Sequence, residues 1–88
     1  MRNDNYVVES TSRFDRDFQS FDKGFQNKAM ESIKILTKNP YAGKSLHGKL
    51  KGFYSLRIGD YRVIYSINEN KKSVILYFID HRKRIYKV

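Results

Sequence analysis

The side chains that could do chemistry in this chain are mostly cations, and they are concentrated in its second half. Residues 40–88 carry eleven Lys and Arg side chains against three acidic ones, whereas residues 1–39 carry seven against six. Four of the cations lie in the last eight residues, HRKRIYKV, beside Tyr86. This excess of positive charge attracts polyanions, so the composition of residues 40–88 predicts a nucleic-acid site in that half. Solubility or nonspecific adhesion would also explain a basic isoelectric point.

Two arginines are predicted to face each other across a β-hairpin. The aromatic and β-branched runs 53–58 and 61–67 are separated by Gly59-Asp60, a link that suits a type II′ turn. Across such a turn Arg57 lies opposite Arg62. Like charges directly opposite cost up to about 1 kcal/mol, and no acidic residue on that face of these two strands offsets the cost. A bound anion would offset it, although two arginines splayed into water also fit the pattern.

The other face of the hairpin is apolar, and two helices are predicted to cover it. That face comprises Tyr54, Leu56, Ile58, Tyr61, Val63 and Tyr65. The first helix carries an aromatic stripe at helical spacing, Phe14, Phe18 and Phe21. The second carries Phe25, Ala29, Ile33 and Leu36. Ser12 and Asp15 predict a capping box, Gly24 interrupts the pattern, and Asn39-Pro40 is expected to end the second helix.

The remaining segments complete an α+β arrangement. Residues 6–9 read as a short strand, and residues 73–79, SVILYFI, as a central strand covered on both sides and paired with 61–67. Residues 41–52 contain three glycines and three lysines without a period, and they are expected to form a loop or a loosely ordered approach to the sheet. The basic tail begins where the central strand ends, so we expect it to lie at one end of the sheet.

Composition limits the class of protein. The length of 88 residues at 10.5 kDa predicts one domain spanning 1–88. The chain has no cysteine, which excludes disulfides and cysteine chemistry and fits a reducing cytosol. Two separated histidines, with Asp60 and Asp80, form no metal-ligand spacing, so no metal or other cofactor is expected. No apolar run reaches the length of a membrane span, and we expect a soluble cytoplasmic protein without membrane contact.

The segments LHGKLKGFYSLRIGDYRVIYSI and VILYFIDHRKRIYK resemble the RelE/ParE toxin superfamily of toxin–antitoxin modules. The resemblance spans nearly the whole chain. It implies a RelE-like fold, with an N-terminal strand and an α-helical hairpin packed on a twisted, mostly antiparallel sheet. For the RelE branch it implies a ribosome-dependent endoribonuclease that cleaves mRNA and inhibits translation. It also implies a RelB-like antitoxin as partner in a hetero-oligomer, together with mRNA and the ribosome.

The resemblance also assigns residues. The basic and tyrosine positions of the RelE branch map onto Arg62, Arg82 and Tyr86. Lysines found in the enterobacterial relative on the strand before the turn are replaced here by Phe53 and Ser55. Two lysines lie just before that strand and are expected to substitute or to bind RNA, Lys49 and Lys51.

The chemistry divides these residues by role. Attack by a 2′-hydroxyl needs a base, an acid for the 5′-oxygen and cations for the charge on phosphorus. Arginines stay protonated, so Arg57, Arg62 and Arg82 are expected to clamp phosphate. The groups able to carry a proton are Tyr86, Lys51, Lys49 and His81. Neighbouring cations, Lys83 among them, favour a tyrosinate at Tyr86, which would act as base or stack on a nucleobase. Lys83 and His81 are also expected to bind RNA, and a structural hydrogen-bonding role suits His81 equally well.

Two other functions remain open at this stage. One is a ParE-like inhibitor of DNA gyrase, which shares this fold and needs no active site. The other is a basic RNA- or ribosome-binding module without catalysis.

Overall fold

A computed structural model of the protein describes residues 5–85. The elements are β1 (Val7–Ser10), α1 (Ser12–Gln19), α2 (Lys23–Ile35), β2 (Lys44–Ser45), β3 (Tyr54–Ile58), β4 (Tyr61–Asn68), β5 (Ser73–His81) and α3 (Arg82–Ile85). The strands form one sheet in the order β1-β5-β4-β3-β2. β1 pairs with β5 in parallel, and every other neighbouring pair is antiparallel. The predicted α+β class and mostly antiparallel sheet are confirmed. Within residues 5–85 every helix is too short or too polar to span a bilayer.

The first helix begins as predicted, but its cap is one residue earlier. Thr11 is the N-cap, and its hydroxyl accepts a hydrogen bond from the Phe14 amide at 3.1 Å. Ser12 is the first helical residue, and Asp15 accepts from the Ser10 hydroxyl at 2.6 Å. The predicted capping box between Ser12 and Asp15 is therefore wrong, because Thr11 already satisfies the free amide of the first turn.

The second helix differs from the prediction at both ends. Asp22 caps it by accepting from the Phe25 amide at 2.8 Å, and Gly24 lies inside its first turn rather than interrupting it. The helix ends at Ile35, earlier than the predicted stop at Asn39-Pro40. Residues 36–38 close it with tighter turns, so proline follows the end of the helix instead of causing it.

The hairpin of β3 and β4 has the predicted register. Arg57 pairs with Arg62, and Ile58 pairs with Tyr61. Gly59 has φ +62°, whereas Asp60 is not among the described residues with positive φ, as a type II′ turn requires. The predicted apolar face packs on α1 and α2. We call this side of the sheet the helix face; the buried core that it shares with the helices includes Phe14, Ala29, Ile33, Leu36, Ile58, Val63, Tyr65, Val74, Leu76 and Ile79.

Residues 41–52, predicted to be a loop, are partly ordered. They contain the edge strand β2, and two 3-10 turns lie at Pro40–Ala42 and Gly48–Leu50. The Tyr65 side chain fixes this segment from the core: its hydroxyl donates to the Pro40 carbonyl at 2.7 Å and accepts from the Gly43 amide at 3.0 Å. Burial raises the pKa of Tyr65. Gly43 is required there, because a Cβ would lie 2.5 Å from the Tyr65 hydroxyl.

Candidate nucleic-acid interface

The side of the sheet opposite the helices, here the open face, carries the arginine pair. Arg57 is exposed, and its Nε donates to the Gly59 carbonyl at 3.3 Å. Arg62 is half-buried, and it donates through a terminal nitrogen to the Ser55 hydroxyl at 3.3 Å. Ser55 is only 1 % exposed. The two arginines are therefore cross-strand partners, but their side chains bond to different groups. Arg57 bonds to the turn, and Arg62 bonds to Ser55 on the sheet.

A carboxylate on the third strand adjoins this pair. β5 pairs with β4 as predicted, and this pairing makes Asp80 the partner of Arg62 on the side away from Arg57. Asp80 also lies 3.7 Å from the Nε of Arg84 and accepts from the His81 amide at 2.8 Å. The prediction that no acidic residue of these two strands offsets the arginine pair is confirmed, and the third strand adds Asp80 as a cross-strand neighbour of Arg62. An anion is therefore not the sole compensation available to Arg62.

The basic tail begins beside the hairpin turn. The Arg82 amide donates to the Asp60 carbonyl at 3.0 Å, and this bond joins the start of α3 to the β3–β4 turn. Arg82 and Lys83 are both exposed. Two separate segments of sequence, the hairpin and the tail, thus bring cations to the same end of the sheet. Tyr86, the predicted base, lies outside the described residues.

The predicted lysines and histidine occupy different places. Lys49 lies in the 3-10 turn Gly48–Leu50 and Lys51 follows it, both exposed. The turn is held on the open face because Leu50 packs against the buried Ile64 and Leu46.

His81 is instead paired with Tyr61, and its ring lies edge-on to that of Tyr61 at 5.4 Å between centroids. Its Nδ1 accepts from the Lys83 amide at 3.2 Å. Tyr61 also packs edge-on against the helix residues Phe21 and Phe25. The structure therefore does not bring His81 together with Arg62, and it favours the structural role for this side chain.

Arg13 reaches the open face, which the sequence did not indicate. β1 ends at Ser10, opposite Leu76, so the rest of β5 would be a free edge. The first helix covers it: Thr11 donates through its hydroxyl to the Tyr77 carbonyl at 2.7 Å, and the Ile79 amide donates to Asp17 at 3.2 Å. From this position the Arg13 guanidinium lies over the Phe78 ring, 4.2 Å from its centroid.

The site as described is cationic and open, with no cluster of ligands for a metal. Among residues 5–85 no three His, Cys, Asp or Glu side chains lie together as a metal-binding group. The arrangement can hold phosphate by hydrogen bonds from guanidinium groups and by the charge of nearby lysines.

Comparison with known proteins identifies relatives along nearly the full chain. A family model described as the ParE toxin of type II toxin–antitoxin systems matches residues 8–86. Toxin RelG of Mycobacterium tuberculosis is 31% identical over 84 residues, 93% of this chain and 97% of RelG. Toxin RelE of the same organism is 33% identical over 85 residues, 94% of this chain and 88% of that protein.

Solved structures show the same fold. The toxin–antitoxin complex RelBE2 of Mycobacterium tuberculosis matches with TM-score 0.81 and 30% identity, covering 89% of this chain and 92% of the matched chain. The archaeal RelE–RelB complex of Pyrococcus horikoshii matches with TM-score 0.79 and 30% identity, covering 91% and 98%. A free-state mutant of toxin RelE from E. coli, 16% identical, has the fold with TM-score 0.77, covering 94% and 92%.

Proposed function

The chain belongs to the ParE toxin family within the RelE/ParE superfamily and is a toxin of a type II toxin–antitoxin system, and from this premise we propose that it is an endoribonuclease that cleaves mRNA bound to the ribosome. Translation in the cytoplasm is the process it would inhibit. The observation that carries the proposal is the juxtaposition of Arg62 on the open face with Arg82, which a backbone hydrogen bond at 3.0 Å joins to the same hairpin turn. Two arginines whose backbone positions are fixed at one end of a sheet suit a phosphate that gains charge during cleavage.

The reaction requires no cofactor. The 2′-oxygen of the substrate attacks phosphorus, the bond from phosphorus to the 5′-oxygen breaks, and a cyclic 2′,3′-phosphate and a 5′-hydroxyl result. Arg62 and Arg82 stabilise the phosphorane charge, whereas proton transfer is assigned to Tyr86 and Lys51. Arg57, Lys49 and Lys83 would bind the RNA backbone on either side; His81, on the helix face, contributes least.

The partner is inferred from relatives crystallised as RelB–RelE complexes. We propose a RelB-like antitoxin that forms a hetero-oligomer with this chain. An acidic segment would be attracted to the open face, while the exposed apolar side chains Met30 and Ile35, at 51% and 54% exposure, offer an anchor on the helices. With the co-encoded partner, raising salt should slow association far more than it speeds dissociation. An association rate indifferent to salt would contradict the idea that antitoxin covers the basic half.

The test of activity is induction of the chain without its partner. We expect protein synthesis to stop and primer extension to reveal new 5′ ends within translated messages. Lys34→Ala, on the exposed side of α2, should remain as toxic as the unaltered chain, whereas Arg62→Ala should lose toxicity. Purified ribosomes added to or withheld from a defined mRNA would then establish ribosome dependence. Cleavage absent under both conditions would overturn the proposal.

Inhibition of DNA gyrase is the second candidate, since the matching family model is that of ParE and Phe53 and Ser55 replace lysines of the RelE branch. A supercoiling assay separates it from the first: loss of gyrase activity with translation intact would establish it. Binding to ribosomes without cleavage, equal for the unaltered chain and Arg62→Ala, would indicate a noncatalytic RNA-binding module.

A further inference from the structure

The open face contains an apolar pocket next to the arginines. It has a volume of about 340 Å³ and is lined mainly by Leu50, Phe53, Ile64, Tyr77, Phe78 and Arg13. Among the described residues no acidic side chain lines it. An aromatic pocket with a single cation in its wall, on a face otherwise rich in positive charge, suits a ligand that is flat and part of an anion.

The aromatic side chains reach the pocket because β5 is irregular. Ile64 pairs with Phe78 and Tyr65 pairs with Leu76, so Tyr77 is an extra residue in β5. A bulge of this kind aims neighbouring side chains to the same side instead of alternating them. The Tyr77 ring accordingly lies edge-on to Phe53 at 5.2 Å between centroids, close to Phe78 on the same face.

The three aromatic rings that line the pocket remain partly exposed to solvent. Ile64 is 1% exposed at the base of the small cluster, whereas Phe53, Tyr77 and Phe78 remain half-exposed. This also corrects the expectation that β5 is covered on both faces: its helix face is buried, and its open face ends in this pocket. Half-exposed rings beside the Arg13 guanidinium, which lies 4.2 Å from the Phe78 centroid, form a stacking surface.

The position of the pocket identifies the occupant. Ile64 lies two residues beyond Arg62 on the same face of β4, which corresponds to about 7 Å along a strand. That distance is comparable to one nucleotide in an extended strand. We propose that the pocket binds one unpaired nucleobase of an RNA strand whose neighbouring phosphate is held by Arg62, with Arg13 as its cationic wall. This inference rests on the proposed function, and it adds a subsite that is separate from the reacting phosphate.

The pocket should accept all four bases with similar strength. The polar side chains of its lining are Arg13, Thr11 and Tyr77. The Thr11 hydroxyl already donates to the Tyr77 carbonyl at 2.7 Å, and the Tyr77 hydroxyl accepts from Ser66 at 3.2 Å. Few groups are therefore left to read the edge of a base. Stacking is sequence-tolerant because every base has a π-face.

The test measures stacking of the nucleobase directly, on an RNA that cannot be cleaved. An RNA with 2′-O-methyl riboses cannot supply the attacking hydroxyl, and 2-aminopurine placed at successive positions reports stacking by loss of fluorescence. The RNA is presented both free and as the message on ribosomes, with the full chain added. We expect quenching at one position, its loss in Arg13→Ala, and its retention in Arg16→Ala, a matched change on the exposed side of α1. Removing the base at that position should weaken binding about tenfold for the unaltered chain and much less for Arg13→Ala.

The outcomes separate the subsite from the proposed function. Cleavage of unmodified RNA, together with equal fluorescence at every position of the 2′-O-methyl RNA in both presentations, would overturn the subsite and leave the nuclease intact. Failure to bind RNA in either presentation would overturn both. If Arg13→Ala weakens the antitoxin complex but leaves the quenching unchanged, the pocket serves a side chain of the antitoxin and the subsite is wrong.

Discussion

The two faces of the sheet are formed by the same strands, but they are stabilised and used differently. On the helix face, side chains from β4 and β5 pack with α1 and α2 into one buried core. On the open face, within residues 5–85, the buried cluster consists of Leu46 and Ile64, and rings and guanidiniums remain accessible around it. Substitutions on the helix face should therefore act through folding, and those on the open face through binding and catalysis.

The largest effect on stability is expected on the helix face. Leu36 is 0% exposed at the end of α2, whereas its neighbour Ile35 is 54% exposed. Leu36→Ala should lower the free energy of unfolding by about 2–5 kcal/mol because it leaves a cavity. Ile35→Ala, the matched control, should change it by about 0.5 kcal/mol or less. Urea unfolding measures both, and equal effects would show that the face assignment is wrong.

On the open face the largest effect is expected on activity. Arg62→Ala should reduce mRNA cleavage by roughly 10²–10³-fold, because a preorganised donor to the transition state is lost. Its effect on unfolding should be about 1 kcal/mol, corresponding to the hydrogen bond to Ser55. Arg82→Ala, at an exposed position, should affect cleavage similarly and folding less. A fall in cleavage explained fully by unfolding would erase the contrast between the faces.

The sequence predicts the helix face far better than the open face, for physical reasons. Period-two alternation and a two-residue turn determine which residues of β3 and β4 are neighbours, so the Arg57–Arg62 pair could be predicted. Apolar stripes at helical spacing identified buried residues such as Ala29 and Ile33. Each of these signals is local in the chain.

The open face depends on features that have no local signal. Asp80 becomes the cross-strand neighbour of Arg62 through the register of a third strand, and that register contains a bulge at Tyr77. Arg13 appears on the outer side of α1 in a helical projection. It reaches Phe78 because β1 ends at Ser10 and leaves the edge of β5 to the helix. Residues 41–52 lack a period, so their order depends on tertiary contacts with Tyr65.

Tyr65 connects the two faces and provides a third, smaller test. Its ring lies in the helix-face core, while its hydroxyl bonds to Pro40 and Gly43 in the segment that leads to the open face. Tyr65→Phe should cost about 1–3 kcal/mol because the buried Pro40 carbonyl and the part-buried Gly43 amide lose their partner. Hydrogen exchange should localise the change: the Leu46 amide, which donates to the Phe53 carbonyl at 3.0 Å, should exchange faster. Unchanged hydrogen exchange of the Leu46 amide would show that Tyr65 does not couple the two faces.

The smallest effect is expected at the other end of the sheet, where charge serves structure alone. Glu69 accepts hydrogen bonds from the hydroxyls of Tyr6 and Tyr41. The bond from Tyr41 lowers the pKa of Glu69, and the same bond raises the pKa of Tyr41 to about 12. A carboxyl with a lowered pKa in the folded state stabilises the protein above its unfolded pKa and loses that contribution as the pH falls through the folded value.

The contribution of Tyr41 to stability depends on pH in the opposite direction. Because its pKa is raised from 10.0 to about 12 in the folded protein, its contribution is complete below pH 10 and disappears as the pH rises toward 12. Glu69→Gln should therefore flatten the loss of stability both below pH 4.5 and above pH 10.0, while cleavage at neutral pH stays unchanged. Urea midpoints across this pH range measure it, with Glu31→Gln on the exposed side of α2 as control. The effect should be small because both groups are accessible to solvent. A change in cleavage at neutral pH would place Glu69 in the function of the open face and break the division drawn between the two regions.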